Sequence, residues 1–171
     1  MSFLQQPRVF GKAVYKRQGD DFARQRSRYV DIFSEAELRL SQIYLKLELK
    51  NNESSFGQKI RELSALKPSS ELSKAILGQI CNVCADLSRH VKIRNGLVHA
   101  TMSIGIKSGE DVAFFQKASD AAAENPVYCV MSFDDFAAAI EAINDLTERL
   151  QATLTRLSSP PLPKQAAKAG P

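Results

Sequence analysis

The chain has 171 residues, of which 44% are hydrophobic, 8% aromatic and 25% charged, and this is the ordinary composition of a globular domain. No apolar run approaches the ~18–20 residues that a membrane-spanning helix needs. The first residues also lack the apolar segment and cleavage site of a secretory signal. We therefore expect a cytoplasmic protein.

The formal net charge of +4 is concentrated at the two ends of the chain. Residues 1–28 contain seven basic and two acidic side chains, with aromatic residues interleaved, whereas the middle of the chain is slightly acidic. Basic side chains gain affinity for RNA by displacing counterions from phosphates, and aromatic rings can stack on bases. We interpret residues 1–27 as a basic arm that either contacts RNA or packs its aromatic side chains on the domain. A transit peptide is a further alternative, because 1–19 has no acidic residue.

Apolar residues recur at intervals of three and four from about residue 27 to 50, which predicts a long amphipathic helix. Its stripe consists of Tyr29, Ile32, Phe33, Ala36, Leu40, Ile43, Tyr44 and Leu47. Asn51-Asn52 ends this helix. A short helix follows Ser55 and ends before Pro68, whose ring disfavours helical geometry in the residue before it.

A third helix begins near Ser69 or Ser70, either of which can cap it, with Glu71 in the first turn. Its apolar stripe consists of Leu72, Ile76, Ile80, Val83, Leu87 and Val91. The next position on that stripe is Arg94.

Three short β-prone segments follow Gly96, at 101–106, 112–116 and 127–131, and 107–110 has the composition of a turn. We expect a small hairpin or a three-stranded flap. The Ala-rich stretch 117–126 is either one helical turn or a loop.

Ser132 and Asp135 have the spacing of a capping box and predict the start of the last helix. Its seam consists of Phe136, Ile140, Ile143, Thr147, Leu150, Leu154 and Leu157. The seam is either one wall of an intramolecular bundle or a coiled-coil dimer face. Three prolines begin a tail at 158–171 that we expect to be disordered.

The expected fold class is all-α, an up-and-down bundle of about four helices with a small β-like insertion before the last helix. The domain covers 28–157, between the basic arm and the tail.

The chain has three cysteines, two of which form a single Cys-x-x-Cys at Cys81 and Cys84. A zinc site normally needs four ligands, and Cys129 and His90 would complete one only in an unusual arrangement. We therefore interpret Cys81 and Cys84 as small apolar residues of a helix, and we expect neither a metal nor another cofactor.

The residues with the most chemical potential lie at 94–99, with the sequence Arg-Asn-Gly-Leu-Val-His. This stretch contains a permanent cation, a neutral polar group and an imidazole that titrates near neutral pH. Asn95 and His99 share one helix face, whereas Arg94 and His99 are about 140° apart around a regular helix. Gly96 is a poor helix former, so we expect a distortion or a helix end near it.

These residue types suit the cleavage of RNA, because an RNA phosphodiester carries its own nucleophile, the neighbouring 2′-hydroxyl. An imidazole can transfer the protons, an arginine can bind the phosphate, and the reaction needs no metal. Since one His and one Arg are few for an active site, two copies of the chain across a two-fold axis would supply two of each.

A purely structural interpretation of the same residues also exists. Arg94 and His99 can cap helix carbonyls, and Arg94 can pair with an acidic group. The candidates for that partner are among the charged residues Glu35, Glu37 and Arg39 of the long helix, and the sequence does not distinguish them. His90 lies four residues before Arg94 and is either a second site residue or a partly exposed helix histidine.

The stretch Arg94-Asn95-Gly96-Leu97-Val98-His99 resembles the Arg-Asn-x-x-x-His signature of the HEPN superfamily (higher eukaryotes and prokaryotes nucleotide-binding). The resemblance covers about residues 92–100. It implies a helical domain that commonly dimerises, and in many members it implies a metal-independent endoribonuclease of toxin–antitoxin, phage-defence or CRISPR systems. By this resemblance Arg94 would bind the phosphate, His99 would transfer protons or orient the 2′-hydroxyl, and Asn95 would position both.

The expected function is therefore RNA cleavage by a homodimer, with an antitoxin or regulatory protein as a possible further partner. One alternative is a HEPN-like protein that binds RNA, a nucleotide or a partner protein without catalysis. Another is a helical interaction protein that assembles through the seam of the last helix, in which the motif is structural.

Overall fold

The computed structural model describes residues 19–49, 54–69, 72–117 and 127–158. They form four helices and three strands, in the order α1 (Gly19–Lys46), α2 (Phe56–Ser64), α3 (Lys74–His99), β1 (Ala100–Lys107), β2 (Glu110–Lys117), β3 (Val127–Ser132) and α4 (Phe133–Ser158). The chain is mostly helical, and the β-like insertion expected before the last helix is present, but it forms a three-stranded antiparallel sheet, so the fold is not a pure all-α bundle. The first part of the basic arm, the Ala-rich stretch from residue 118 and the tail from residue 159 lie outside the described residues.

Helix α1 begins eight residues before the expected position, so the boundary predicted at residue 27 falls inside it. Asp20 and Asp21 lie in its first turn, where the positive end of the helix dipole stabilises carboxylates. Phe22 is completely buried one heptad before Tyr29 and extends the apolar stripe toward the N-terminus. The helix ends at Lys46, four residues before the expected end, and Glu48 adopts a positive φ of 51°.

The helices are not arranged strictly up and down. Phe22 near the start of α1 contacts Phe136 near the start of α4, with ring centroids 6.4 Å apart, and the ends of α1 and α4 line one groove through Leu45 and Leu154. The two helices are therefore parallel. Helix α3 is antiparallel to α1, because the contact between Tyr29 and His90 lies farther along α1 and earlier along α3 than the contact between Arg26 and Val98.

Helix α2 also runs in the direction of α1. Phe33 packs edge-on against Phe56 at the start of α2, and farther along both helices the hydroxyl of Tyr44 donates a hydrogen bond to the carboxylate of Glu62. Three helices thus share one direction and α3 opposes them. A strict up-and-down order would need consecutive helices to alternate.

The sheet has the order β1-β2-β3, with both pairs antiparallel, which confirms the three-stranded flap. Ser108 and Gly109 join β1 to β2 with positive φ angles of 53° and 83°, as a two-residue hairpin turn of the primed type requires. Residues of one sheet face pack on the helices, and the ring of Phe115 lies 6.0 Å from that of Phe136. The sheet is therefore part of the core rather than an appendage.

Of the two caps predicted from the sequence, the structure confirms one. Ser55 caps α2 by accepting from the backbone N–H of Gln58. Ser132 and Asp135 form the reciprocal capping box, with hydrogen bonds of 2.7 and 3.0 Å. The expected cap at Ser69 or Ser70 is wrong, because α3 begins later, after Ser73, which accepts from the N–H of Ile76.

The seam of α4 faces the interior and is one wall of the helical body. Its buried residues are Phe136, Ile140, Ile143, Leu146, Leu150 and Thr153. Thr147, Leu154 and Leu157, which the seam predicted, are only partly buried. The buried face therefore departs from the predicted alternation of four and three at Leu146 and Thr153, each one position before the predicted residue. None of the helices in the described ranges is long and apolar enough to cross a membrane.

Candidate functional site

The motif residues lie in the last two turns of α3, which is continuous from Lys74 to His99. Gly96 is buried and helical, so the helix continues through it, and the helix end expected near Gly96 lies three residues later, at His99, the last helical residue. Ala100, with φ of −103° and ψ of 148°, is already extended and is the first residue of β1. A glycine costs about 1 kcal/mol in a helix, and burial between packed elements offsets such a cost here.

Because α3 is unbroken, Arg94 and His99 point about 140° apart around its axis. The side chain of Arg94 is half-buried, whereas His99 is exposed. Asn95 lies next to Arg94 in sequence and one turn before His99, on the His99 side of the helix. The structure therefore does not bring the two motif ends together within one copy of the chain.

Arg94 lacks a carboxylate partner among the described residues. Its Nη1 donates to Oδ1 of Asn95 at 3.1 Å, and its Nε is buried without an acceptor. The acidic residue expected from α1 does not reach it, since Glu35 pairs instead with Arg39 at 3.2 Å. A half-buried guanidinium held only by an amide retains an uncompensated charge, and unpaired charges are costly to bury.

His99 has no hydrogen-bond or ion-pair partner within the part of the chain that the structure describes. It is exposed, and its neighbour Val98 leaves 37% of its surface exposed. An imidazole of this kind is available to an external group. The expected positioning of His99 by Asn95 is not visible as a contact, because the amide of Asn95 bonds to Arg94.

His90, the second-site candidate, belongs instead to the packing between helices. Its Nδ1 lies 3.1 Å from the hydroxyl of Tyr29, which also donates to the His90 carbonyl oxygen at 3.4 Å. Burial lowers the pKa of His90, an effect that the carboxylate of Asp86 opposes. A shallow cleft of about 220 Å³ lies beside it, where Asp86 forms ion pairs with Arg89 and Arg149.

The cysteine pair is consistent with a packing role. Cys84 is completely buried, and burial raises the pKa of its thiol to about 11. Cys81 is partly exposed and lies 3.9 Å from the carbonyl oxygen of Ser64. No group of three His, Cys, Asp or Glu side chains that could hold a metal ion occurs within the described ranges.

Sequence analysis missed Arg26, which contacts the end of α3. Its Nη2 donates to the carbonyl oxygens of Val98 at 3.4 Å and Ala100 at 3.3 Å, and its guanidinium lies 6.0 Å from the centre of the Phe115 ring. We assigned Arg26 to the basic arm. Because α1 begins at Gly19, Arg26 falls on its apolar stripe between Phe22 and Tyr29. A cation on an apolar stripe is the sequence feature that could have indicated an internal contact.

The chain matches no family model, no curated protein and no solved structure.

Proposed function

We propose that the chain is a metal-independent endoribonuclease of the HEPN type that acts as a homodimer, in the role of a toxin or phage-defence effector. The observation that carries the proposal is that Arg94 has no carboxylate partner among the described residues and lies next to Asn95, which is one turn before an exposed His99. A bound phosphate would supply the anionic partner that Arg94 lacks.

The chemistry needs a base, an acid and a group that stabilises negative charge. The 2′-hydroxyl loses its proton and attacks the adjacent phosphorus, a 2′,3′-cyclic phosphate forms, and the 5′-oxygen leaves with a proton. His99 is placed to transfer these protons because it is exposed and has no internal partner. Arg94 stabilises the charge on the phosphoryl oxygens.

A second copy of the chain can bring together the Arg94 and His99 side chains, which point in different directions on one helix. Two α3 ends that meet across a two-fold axis can place Arg94 of one copy near the partner's His99, although the two side chains diverge by about 140° on each helix. The site proposed here is therefore composite, and one copy alone does not assemble it.

The first experiment incubates the wild type, Arg94→Ala and His99→Ala with end-labelled RNA in the presence of EDTA. We expect cleavage by the wild type and at least about a 100-fold loss in each variant. Arg89→Ala is the matched control, because Arg89 lies on the same helix and is 80% exposed. Unchanged cleavage by His99→Ala would refute the role of His99, and loss in Arg89→Ala would show a general effect of charge.

A second experiment tests the composite site by mixing Arg94→Ala with His99→Ala. Half of the randomly exchanged dimers are mixed, and each mixed dimer keeps one intact pair of Arg94 and His99. We therefore expect recovery of about a quarter of the wild-type rate. No recovery, in a mixture shown by mass spectrometry to exchange subunits, would mean that both groups act within one copy.

The divergence of Arg94 and His99 also favours a second candidate, a HEPN-like protein that binds RNA or a nucleotide without cleaving it. Binding needs only Arg94 and the basic residues around it, so the two motif ends need not meet. This candidate predicts salt-sensitive RNA binding by the wild type, weakened by Arg94→Ala and unchanged by His99→Ala, without any cleaved product.

A further inference from the structure

The last turn of α3 lacks the usual means of satisfying its carbonyl groups. The final four carbonyls of a helix have no intrahelical donor, and helices commonly end in a left-handed glycine that supplies one. Here the helix passes directly from His99 into the extended residue Ala100. Donors therefore come from water or from another element, and the negative end of the helix dipole favours a cation.

Arg26 of α1 donates to one of these carbonyls, that of Val98, and also to the carbonyl of Ala100 at the start of β1. These two carbonyls flank His99 in the chain. The contact with the ring of Phe115 adds a third point of attachment, on β2. Arg26 thus joins α1, the end of α3 and the sheet at the residue that the proposed function makes catalytic.

The other arginines of this part of α1 do not share the arrangement. Arg24 and Arg28 are exposed, whereas Arg26 is half-buried and directed at the protein backbone. Phosphate contacts come from cations that reach into solvent. The direction of the Arg26 side chain therefore favours a role inside the protein over one in the basic arm.

We infer that Arg26 is the positioning residue of the site: it holds the backbone on both sides of His99 and so fixes where the imidazole stands. The inference rests on the proposed function, because Arg26 would affect catalysis only through the position of the His99 imidazole. A displacement of a reacting group by about 1 Å can cost up to 100-fold in rate.

The test compares Arg26→Ala, Arg26→Lys and Arg28→Ala in the full chain. Arg28→Ala removes the same charge from an exposed position of the same helix. The first readout uses the free protein: amide hydrogen exchange at 97–102 and the imidazole resonances, of which the chain has only two sets. We expect about tenfold faster exchange and a shifted His99 resonance in Arg26→Ala, with the His90 resonance unchanged. Arg26→Lys should recover part of the protection, because its ammonium can still donate to these carbonyls.

The second readout is RNA cleavage. We expect Arg26→Ala to lower kcat by about 10- to 100-fold while KM and the salt dependence of KM stay as in the wild type, and Arg28→Ala to keep the wild-type kcat. A raised KM together with a salt slope reduced by about one counterion would overturn the inference and make Arg26 a phosphate contact. Unchanged hydrogen exchange and His99 resonance in Arg26→Ala would overturn it as well.

The two readouts separate this inference from the proposed function. If the wild type does not cleave RNA, the proposed function and the catalytic role of Arg26 both fail. The exchange data on the free protein then still decide whether Arg26 holds the backbone around His99. If the wild type cleaves RNA and Arg26→Ala cleaves it equally well, only the inference about Arg26 fails.

Discussion

Helix α3 carries both histidines of the chain, and the two have opposite environments. His90 is half-buried, bonded to Tyr29, and its pKa is lowered by burial. His99 is exposed and lacks an internal partner among the described residues. The first histidine belongs to the packing of α3 on α1, and the second is presented to the outside. Residue type and helix are the same, so the difference lies in what surrounds each ring.

The same contrast separates the two ends of α3. From Leu77 to Leu87 the helix contributes buried apolar residues to the core. At its other end Arg94 has a buried Nε without an acceptor and no carboxylate partner among the described residues. Unsatisfied polar groups cost stability, and Arg94 shares this feature with Arg39 and Ser54 among the described residues. The middle of α3 therefore supports the fold. The end from Arg94 onward contributes the buried Leu97 to the core and also carries the residues of the proposed site.

The largest expected effect on stability comes from breaking the structural part of α3. Leu87→Ala removes a completely buried side chain and should lower the free energy of unfolding by about 2–5 kcal/mol. His99→Ala removes an exposed group and should change it by less than about 0.5 kcal/mol. Urea denaturation of both variants measures the difference. If His99→Ala lowered the free energy of unfolding by several kcal/mol, His99 would stabilise the fold as Leu87 does, and the motif would have a structural role.

The sequence predicted most elements because their signals are local. The hairpin turn at Ser108-Gly109 and the capping box at Ser132 depend on residues within a few positions of each other. The direction of the helices was not predictable in this way, because it depends on contacts between residues such as Phe22 and Phe136. Neither was the start of α3 at Ser73, since three serines near it offer the same chemistry.

The site residues were identifiable from the sequence, but their relative positions were not. Whether a helix breaks at Gly96 depends on the packing around it, and that packing decides whether Arg94 and His99 diverge. The role of Arg26 depends on a contact between residues more than 70 positions apart. Its position on the apolar stripe of α1 became informative only after the start of that helix was known.

A smaller effect should follow from removing the hydroxyl that holds His90. Tyr29→Phe keeps the buried ring and leaves Nδ1 of His90 without its partner, so the free energy of unfolding should fall by about 1–2 kcal/mol. The RNA cleavage rate should stay within about twofold of the wild type, because Tyr29 lies on α1 and contacts α3 at His90 rather than at the motif. A parallel loss of cleavage at temperatures where the variant is fully folded would place Tyr29 and His90 in the site.

The finest test of the contrast between the two histidines uses pH. The pKa of His90 in the folded protein lies below its ordinary value of 6.5, so between these two pKa values the unfolded chain binds more protons than the folded protein. The free energy of unfolding should therefore fall as the pH is lowered from about 6.5 to the folded pKa, with no further loss from this group below it. His90→Asn should flatten this dependence, whereas His99→Ala should leave it intact. Denaturation series at several pH values measure both slopes, and the reverse assignment would mean that His99, not His90, is the histidine coupled to folding.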